Sequence, residues 1–221
     1  ITFGIKNLKS DIKLKSIKKK SGNYQIEINN NDQKKYFTIS NNFQNNIYNV
    51  LASLAVMSIF KNIFKLKKNI FLNFKVPAGR GDISKIKINK KTINLIDESY
   101  NSNPLSLKSA ILNYDKIKKN KSKKYLLIGD MLELGDHSKK LHQQIAYIIN
   151  KTKIDKVFVK GNHVISTFKK LSKLKKGRVL YNKSQIIELI KNGLDNNDYL
   201  MVKASNATGL NQIVRNLKGL R

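Results

Sequence analysis

The chain has 221 residues, 40% of them apolar, with no cysteine and a formal net charge of +30. That length holds one generous core or two modest ones, and the apolar fraction excludes a disordered chain. The absence of cysteine excludes disulfides, zinc fingers and thiol nucleophiles, and no apolar run reaches the about 20 residues of a membrane helix, so a cytoplasmic protein without membrane insertion is expected.

Residues 10–39 alternate apolar and polar positions around the turn formers Ser21-Gly22-Asn23 and Asn29-Asn30-Asn31-Asp32, which predicts an antiparallel meander. Ile47, Val50, Leu51, Leu54, Ala55 and Ile59 then recur at helical spacing, predicting a buried helix over about 46–61. The pattern breaks at Pro77, Gly79 and Gly81, the best candidate for a domain boundary or hinge.

From residue 82 onward short aliphatic runs alternate with amphipathic stretches. Strands are predicted at 85–88, 92–97, 123–130, 155–161, 178–181 and 198–205, and helices near 104–119, 137–151, 162–172, 184–193 and 208–219. This order implies right-handed βαβ crossovers and an α/β fold with a doubly wound, mostly parallel sheet. Asn103 before Pro104, Asp136 and Ser184 fit helix caps.

Ligands of such sheets bind at the carboxyl ends of the strands. Four strands end in polar chemistry there: Asp97-Glu98, Gly129-Asp130, Lys160-Gly161-Asn162 and Lys203-Ala204-Ser205-Asn206. Capping does not account for acids placed before the loop begins, as in INLIDES and LLIGD, so a polar ligand site is expected along that rim.

The charge points first to a polyanion. Residue choice points elsewhere: of the 44 basic residues only Arg80, Arg178, Arg215 and Arg221 are arginine, and phosphate or base-edge recognition favours the arginine fork. Lysine here accompanies asparagine and isoleucine, as an A/T-rich coding sequence would supply, and runs such as Lys18-Lys19-Lys20 read as solvated faces. Aromatics do not interleave with the lysines as a stacking platform requires. No nucleic-acid partner is expected, and a basic nucleic-acid-binding module stands as the alternative from another class.

Four strings carry a family resemblance: Gly79-Arg80-Gly81, IDESYNSNPLSLKSAI (96–111), LLIGDMLELGDHSKKLHQQI (126–145) and LMVKASNATGL (200–210). In that order they resemble the Mur ligases of bacterial cell-wall synthesis. SYNSNP and GDMLELG resemble the branch that adds D-alanyl-D-alanine, rather than its siblings or folylpolyglutamate synthase. The resemblance implies that residues 1–76 are the second half of a central ATP-binding domain and residues 77–221 a Rossmann-like C-terminal domain. The family's GxxGKT-type phosphate loop does not occur in the sequence. Ile1 opens on ITFG, which reads as the middle of a folded segment, so the C-terminal half of a ligase, inactive alone, is expected.

The reaction implied is ATP-dependent activation of the carboxylate of UDP-N-acetylmuramoyl-tripeptide to an acyl phosphate, followed by attack of the D-alanyl-D-alanine amine. Cations must meet the charge that develops. The resemblance gives Arg80, on a glycine-flanked hinge, the catalytic role of an arginine reaching the nucleotide phosphates. It places Asn49 near the adenine, with Asn45 where a histidine is usual, and makes Asp97 and Glu98 an acidic pair of which one reaches the ribose. Substrate contacts fall to Asn101 and Asn103, to Asp130 and Glu133 for the incoming ammonium, and to Lys203 and Ser205 for the dipeptide carboxylate. His142 reads as a packing or capping residue, and His137 and His163 as helix-start residues. No dedicated protein metal cage is expected, magnesium coming with ATP. The enzyme implied is a monomer.

Overall fold

The computed structural model describes residues 1–7, 9–30, 33–40, 47–74, 77–117 and 121–219. Asn31, Asp32, Asn45 and the helix ends expected at 46 and at 118–119 lie outside them. The chain divides into two compact units, Ile1–Val76 and Pro77–Arg221.

The first unit is a four-stranded sheet in the order β1 (Phe3–Gly4), β2 (Ile12–Lys20), β3 (Asn23–Asn30), β4 (Gln33–Ile39). β2, β3 and β4 are antiparallel neighbours, while β1, which periodicity did not signal, runs parallel to β2. Ser21 and Gly22 both have positive φ, so the β2–β3 hairpin closes on a two-residue turn whose twist matches the strands. Ile12, Ile26, Ile28, Phe37 and Ile39 are fully buried, and helix α1 (Ile47–Phe60) covers them with Ile47, Val50, Leu51, Leu54 and Ala55. Ile59, expected on that buried face, is 63% exposed, because α1 is apolar around its circumference and periodicity fixed its type better than its facing.

The second unit carries six strands in the order β5 (Asp82–Ile88), β6 (Lys91–Glu98), β10 (Tyr199–Lys203), β7 (Lys124–Gly129), β8 (Lys156–Lys160), β9 (Lys176–Val179). Only β5 is antiparallel to its neighbour, joined to β6 through Asn89 and Lys90, both at positive φ. The other four pairings are parallel, which makes the sheet mostly parallel as expected. Helices α2 (Pro104–Lys116), α3 (Ser138–Asn150) and α4 (Ile165–Lys170) follow β6, β7 and β8, and α5 (Lys183–Glu188) and α6 (Leu210–Leu217) follow β9 and β10.

Two cores explain the continuous apolar runs in β7 and β10. Leu126, Ile128 and Met201 pack with α2 and α3, whereas Tyr125, Leu127, Leu200 and Val202 pack with α5 and α6. Successive side chains point to opposite faces, and with both faces covered the middle of each strand is apolar on both sides, lysines standing only at the ends, Lys124 and Lys203.

Helix ends differ from expectation where loops compete. Asn103 caps α2 in a reciprocal box, its Oδ1 accepting from Ser106 N–H at 2.8 Å and Ser106 Oγ accepting from Asn103 N–H at 3.0 Å. Asp136 is not a cap: it lies in a 3-10 turn, Gly135–His137, that leads straight into α3. Nor is Ser184: Asn182 has the extended backbone of an N-cap and its Oδ1 accepts from Gln185 N–H, which puts Ser184 inside the first turn. The last helix is broken at Asn206–Thr208 and restarts at Leu210, because Gly209 adopts φ 74°.

Candidate functional site

Insertion of β10 between β6 and β7 brings the four polar strand ends into one row, in the lateral order β6, β10, β7, β8. Register aligns Lys203 with Glu98 on one side and with Ile128 on the other, and Gly129 with Lys160. Reversal of strand order at a returning strand opens such a rim to ligands.

On the β6 end, Asp97 is 3% exposed. Its Oδ1 accepts from Ser99 N–H at 3.1 Å and Ser99 Oγ at 2.6 Å, and its Oδ2 accepts from Lys218 Nζ at 2.7 Å. Glu98 is half-buried beside Lys203, with Nζ to Oε2 at 3.5 Å. Burial pushes the Glu98 carboxyl above its ordinary range, with Lys203 pulling against it. Lys203 is 2% exposed, and its ammonium also donates to the Asn101 carbonyl at 2.9 Å. Burial lowers its pKa despite the Glu98 partner.

Ser205 is the second tie. Its hydroxyl donates to the Ser102 carbonyl at 3.2 Å and accepts from Leu132 N–H at 2.9 Å. Lys203 and Ser205 thus clamp the loop Ser99–Asn103 and, through Ser205, the loop after β7.

Asp130 is buried, and both its oxygens accept backbone amides, Asn162 N–H at 3.0 Å and Val164 N–H at 2.7 Å. A Cβ on Gly161, at φ 143°, would lie 2.4 to 2.6 Å from that carboxylate, so this position tolerates no side chain. His142 anchors the same loop from α3: its Nε2 accepts from Met131 N–H at 3.1 Å and its Nδ1 lies 2.8 Å from the Ser138 carbonyl, which fixes the Nδ1–H tautomer. Burial lowers the His142 pKa. His137 occupies the N-cap position of α3, and the His163 ring stacks on His142 at 5.9 Å.

The exposed chemistry lies around these ties. Tyr100, Asn101, Ser102 and Asn103 face Leu132, Glu133 and Leu134 and the Ser205–Ala207 turn across an open cleft of ≈ 610 Å³. Glu133 stands on its lip with φ 63°. Arg80 is exposed and its guanidinium carbon lies 4.5 Å above the Tyr100 ring. Gly79 permits that approach, since a Cβ there would meet Tyr100 Cβ at 2.9 Å. A larger depression of ≈ 730 Å³ lies at the amino ends of the strands, around Asn94, Lys123 and Tyr199. It belongs to the sheet end opposite the polar rim.

Of the residues singled out from sequence, Arg80, Glu98, Asn101, Asn103, Asp130, Glu133, Lys203 and Ser205 gather on this rim, and Asp97 lies just beneath it. Asn49 belongs to the first unit, exposed on α1, its carbonyl accepting from Ser53 Oγ at 2.8 Å. Sequence reasoning missed Asp82, Tyr100, Ser102 and Lys218. Asp82 directly follows the Gly-Arg-Gly turn, a signal that could have been used; Lys218 had none in so lysine-rich a chain.

No three His, Asp or Glu side chains among the described residues converge as a metal ion requires. These residues do not fit a magnesium site by themselves. No helix among them is long and apolar enough to cross a membrane.

The profile of the "Mur ligase, glutamate ligase domain" matches residues 83–206, more than half of the chain. The chain belongs to the Mur ligase family. A curated relative of this Mur ligase chain, UDP-N-acetylmuramoyl-tripeptide–D-alanyl-D-alanine ligase of Bacillus subtilis (strain 168), is 28% identical over 209 residues, 88% of this chain and 44% of the relative. The protein of the same name from Buchnera aphidicola subsp. Baizongia pistaciae (strain Bp) is 33% identical over 226 residues, 98% of this chain and 45% of the relative. The crystal structure of MurF ligase from Thermotoga maritima in complex with ADP superposes with a TM-score of 0.76 at 21% identity, covering 99% of this chain and 48% of that one. That likeness establishes the fold. The chain spans somewhat less than half the length of the curated relatives it matches.

Proposed function

We propose that the full-length protein joins D-alanyl-D-alanine to UDP-N-acetylmuramoyl-tripeptide with cleavage of ATP, in peptidoglycan synthesis, and that this chain supplies the dipeptide end of the site and a cation for the nucleotide. The observation that carries the reading is the single cleft that brings SYNSNP, GDMLELG and the Ser205–Ala207 turn together. The names of the two curated relatives support it.

Within that reading the rim residues divide by exposure. Arg80, above the Tyr100 ring and open to solvent, is the cation that meets nucleotide phosphates. Glu98 is the member of the acidic pair that contacts the nucleotide ribose, because Asp97 is enclosed by Lys218 and Ser99. Asn101 and Glu133 contact the dipeptide, Glu133 accepting from its ammonium. Asp97, Asn103, Asp130, Lys203 and Ser205 hold the loops that carry these groups. Asn49 remains our assignment for an adenine contact from the first unit, which we take as part of the central ATP-binding domain. ATP, when bound, would supply the phosphoryl group that activates the carboxylate and that leaves as phosphate when the amine attacks, and what these residues contribute is position and charge. The proposed enzyme acts as a cytoplasmic monomer.

The test is inorganic phosphate release by the full-length protein with UDP-N-acetylmuramoyl-tripeptide, ATP and magnesium. Release that requires D-alanyl-D-alanine is expected. Release supported by D-glutamate or diaminopimelate in its place would overturn the reading.

A further inference from the structure

β5 and β6 pair with Asp82 directly opposite Asp97. Like charges facing each other across an antiparallel pair repel, and the Asp97 side chain is only 4% exposed, so water screens it little. One ammonium makes the arrangement tenable. Lys218, just beyond α6, donates to Asp82 Oδ2 at 2.5 Å and to Asp97 Oδ2 at 2.7 Å, with its own side chain 8% exposed. Burial alone would lower its pKa, but the bonds to Asp82 and Asp97 outweigh burial and raise it.

The other oxygen of each carboxylate points into the turns that flank Arg80. Asp82 Oδ1 accepts from Gly79 N–H at 2.8 Å, and Asp97 Oδ1 accepts from both the amide and the hydroxyl of Ser99. The main chain closes the frame, Gly81 N–H donating to the Asp97 carbonyl at 2.7 Å and Tyr100 N–H to the Gly79 carbonyl at 3.1 Å. The arginine and the ring beneath it therefore belong to two turns joined by two main-chain hydrogen bonds and, between their side chains, by a single cation.

We propose that Lys218 is a positioning residue: by bridging Asp82 and Asp97 it locks the Gly79–Asp82 turn to the Ser99–Tyr100 turn and so aims Arg80. This rests on the reading of Arg80 as a nucleotide contact and adds a remote determinant to it, from 121 residues beyond Asp97. Without the ammonium, the two carboxylates face each other with no other ion pair among the described residues, and the turn moves to part them.

Two variants of the full-length protein test it, Lys218→Met and the double variant Asp82→Asn with Lys218→Met. In the double variant the asparagine keeps an oxygen for Gly79 N–H and turns an NH2 toward Asp97 Oδ2, so it replaces the bridge without a cation. Peptide-resolved amide hydrogen exchange over residues 77–82 and the KM for ATP are the two readouts. In Lys218→Met, exchange over 77–82 quickens by about tenfold or more while Val157–Val159 in β8 stays protected, and the KM for ATP rises. Both readouts return toward the parent in the double variant. Exchange unchanged in Lys218→Met, or equally fast in the double variant, overturns the proposal, because an amide cannot replace a lysine that serves only packing. If Lys218→Met does not fold, the double variant decides: parental protection over 77–82 upholds the bridge and its loss overturns it. Faster exchange with an unchanged KM upholds the bridge but refutes the nucleotide role of Arg80, so the two failures are distinguishable.

Discussion

Lys203 and Glu98 are lateral neighbours on parallel strands, and the lysine is the more deeply enclosed of the two, at 2% against 25% side-chain exposure. Burial disfavours both charges, pushing the carboxyl up and the ammonium down, and each favours the charged form of the other. Lys203→Met should therefore raise the Glu98 pKa further, measured by a carbon-13 titration of its carboxyl. It should cost roughly 2–3 kcal/mol near neutral pH, toward the low end for a broken buried pair because Glu98 retains some solvent. A carboxyl whose folded pKa exceeds its unfolded value adds stability below about pH 4.5 and loses it as pH climbs through the folded value. The urea midpoint of the variant should thus fall more steeply than the parent's between pH 4 and 7, and parallel curves would show that Glu98 does not depend on Lys203.

His142 gives the opposite pH signature. Its imidazole is buried, takes the Met131 amide on Nε2 and has its pKa lowered by desolvation. The unfolded chain then binds the proton more tightly, so stability present above about pH 6.5 is lost as pH falls through the folded pKa. His142→Gln should flatten the slope of stability between pH 7 and 5.5 in urea titrations. His142→Phe should do the same and also cost about 1–3 kcal/mol, since the Met131 amide is left buried without an acceptor. A wild-type slope surviving in both variants would assign the acid sensitivity to another group.

The helices and apolar strands were legible because their signals are local: periodicity over ten residues placed α1, and runs bounded by turn formers placed β6, β7 and β10. The rim was legible too, since acids at the ends of β6 and β7 sit where no cap is needed. Which of these acids is free was not, because their partners come from far along the chain. Ser205 finds Ser102, Lys203 finds Asn101 and Lys218 finds Asp97 only once β10 has entered between β6 and β7. Neither period nor spacing encodes that insertion. Asp130 is the plainest case: a carboxylate at a strand end reads as a ligand, and its two amide donors belong to the loop after the neighbouring strand.

That arrangement makes Gly161 a sharper test of the rim than any charged residue. A methyl group there collides with the Asp130 carboxylate, and φ 143° lies outside what alanine adopts readily. Gly161→Ala should destabilise the second unit by about 2 kcal/mol or more, read from urea unfolding, with the amides of Asn162 and Val164 losing exchange protection first. Asp130→Asn should release one of the same two amides, since its NH2 would oppose one of the donors, and cost roughly 2 kcal/mol. Because both variants break one contact, the double variant should fall well short of the sum. Additive losses would mean that glycine is needed at 161 for its backbone alone.

Glu133 separates function from stability most cleanly. Its backbone sits at φ 63° on the lip of the cleft, a conformation that costs an ordinary residue about 1 kcal/mol and glycine almost nothing. Glu133 is exposed and, among the described residues, holds no tie of the kind that Asp130 and Lys203 make. Glu133→Gly should therefore leave the free energy of unfolding unchanged or raise it by up to about 1 kcal/mol. If the side chain accepts from the dipeptide ammonium, the same variant of the full-length protein should raise the KM for D-alanyl-D-alanine by roughly tenfold, as for the loss of one charged hydrogen bond of about 1.4 kcal/mol, while the KM for ATP stays put. Glu133→Gln, which keeps an acceptor oxygen but not the charge, should fall between the two. A parental KM for the dipeptide in Glu133→Gly would remove Glu133 from the site and leave Asn101 as the exposed polar side chain of that cleft proposed to contact it.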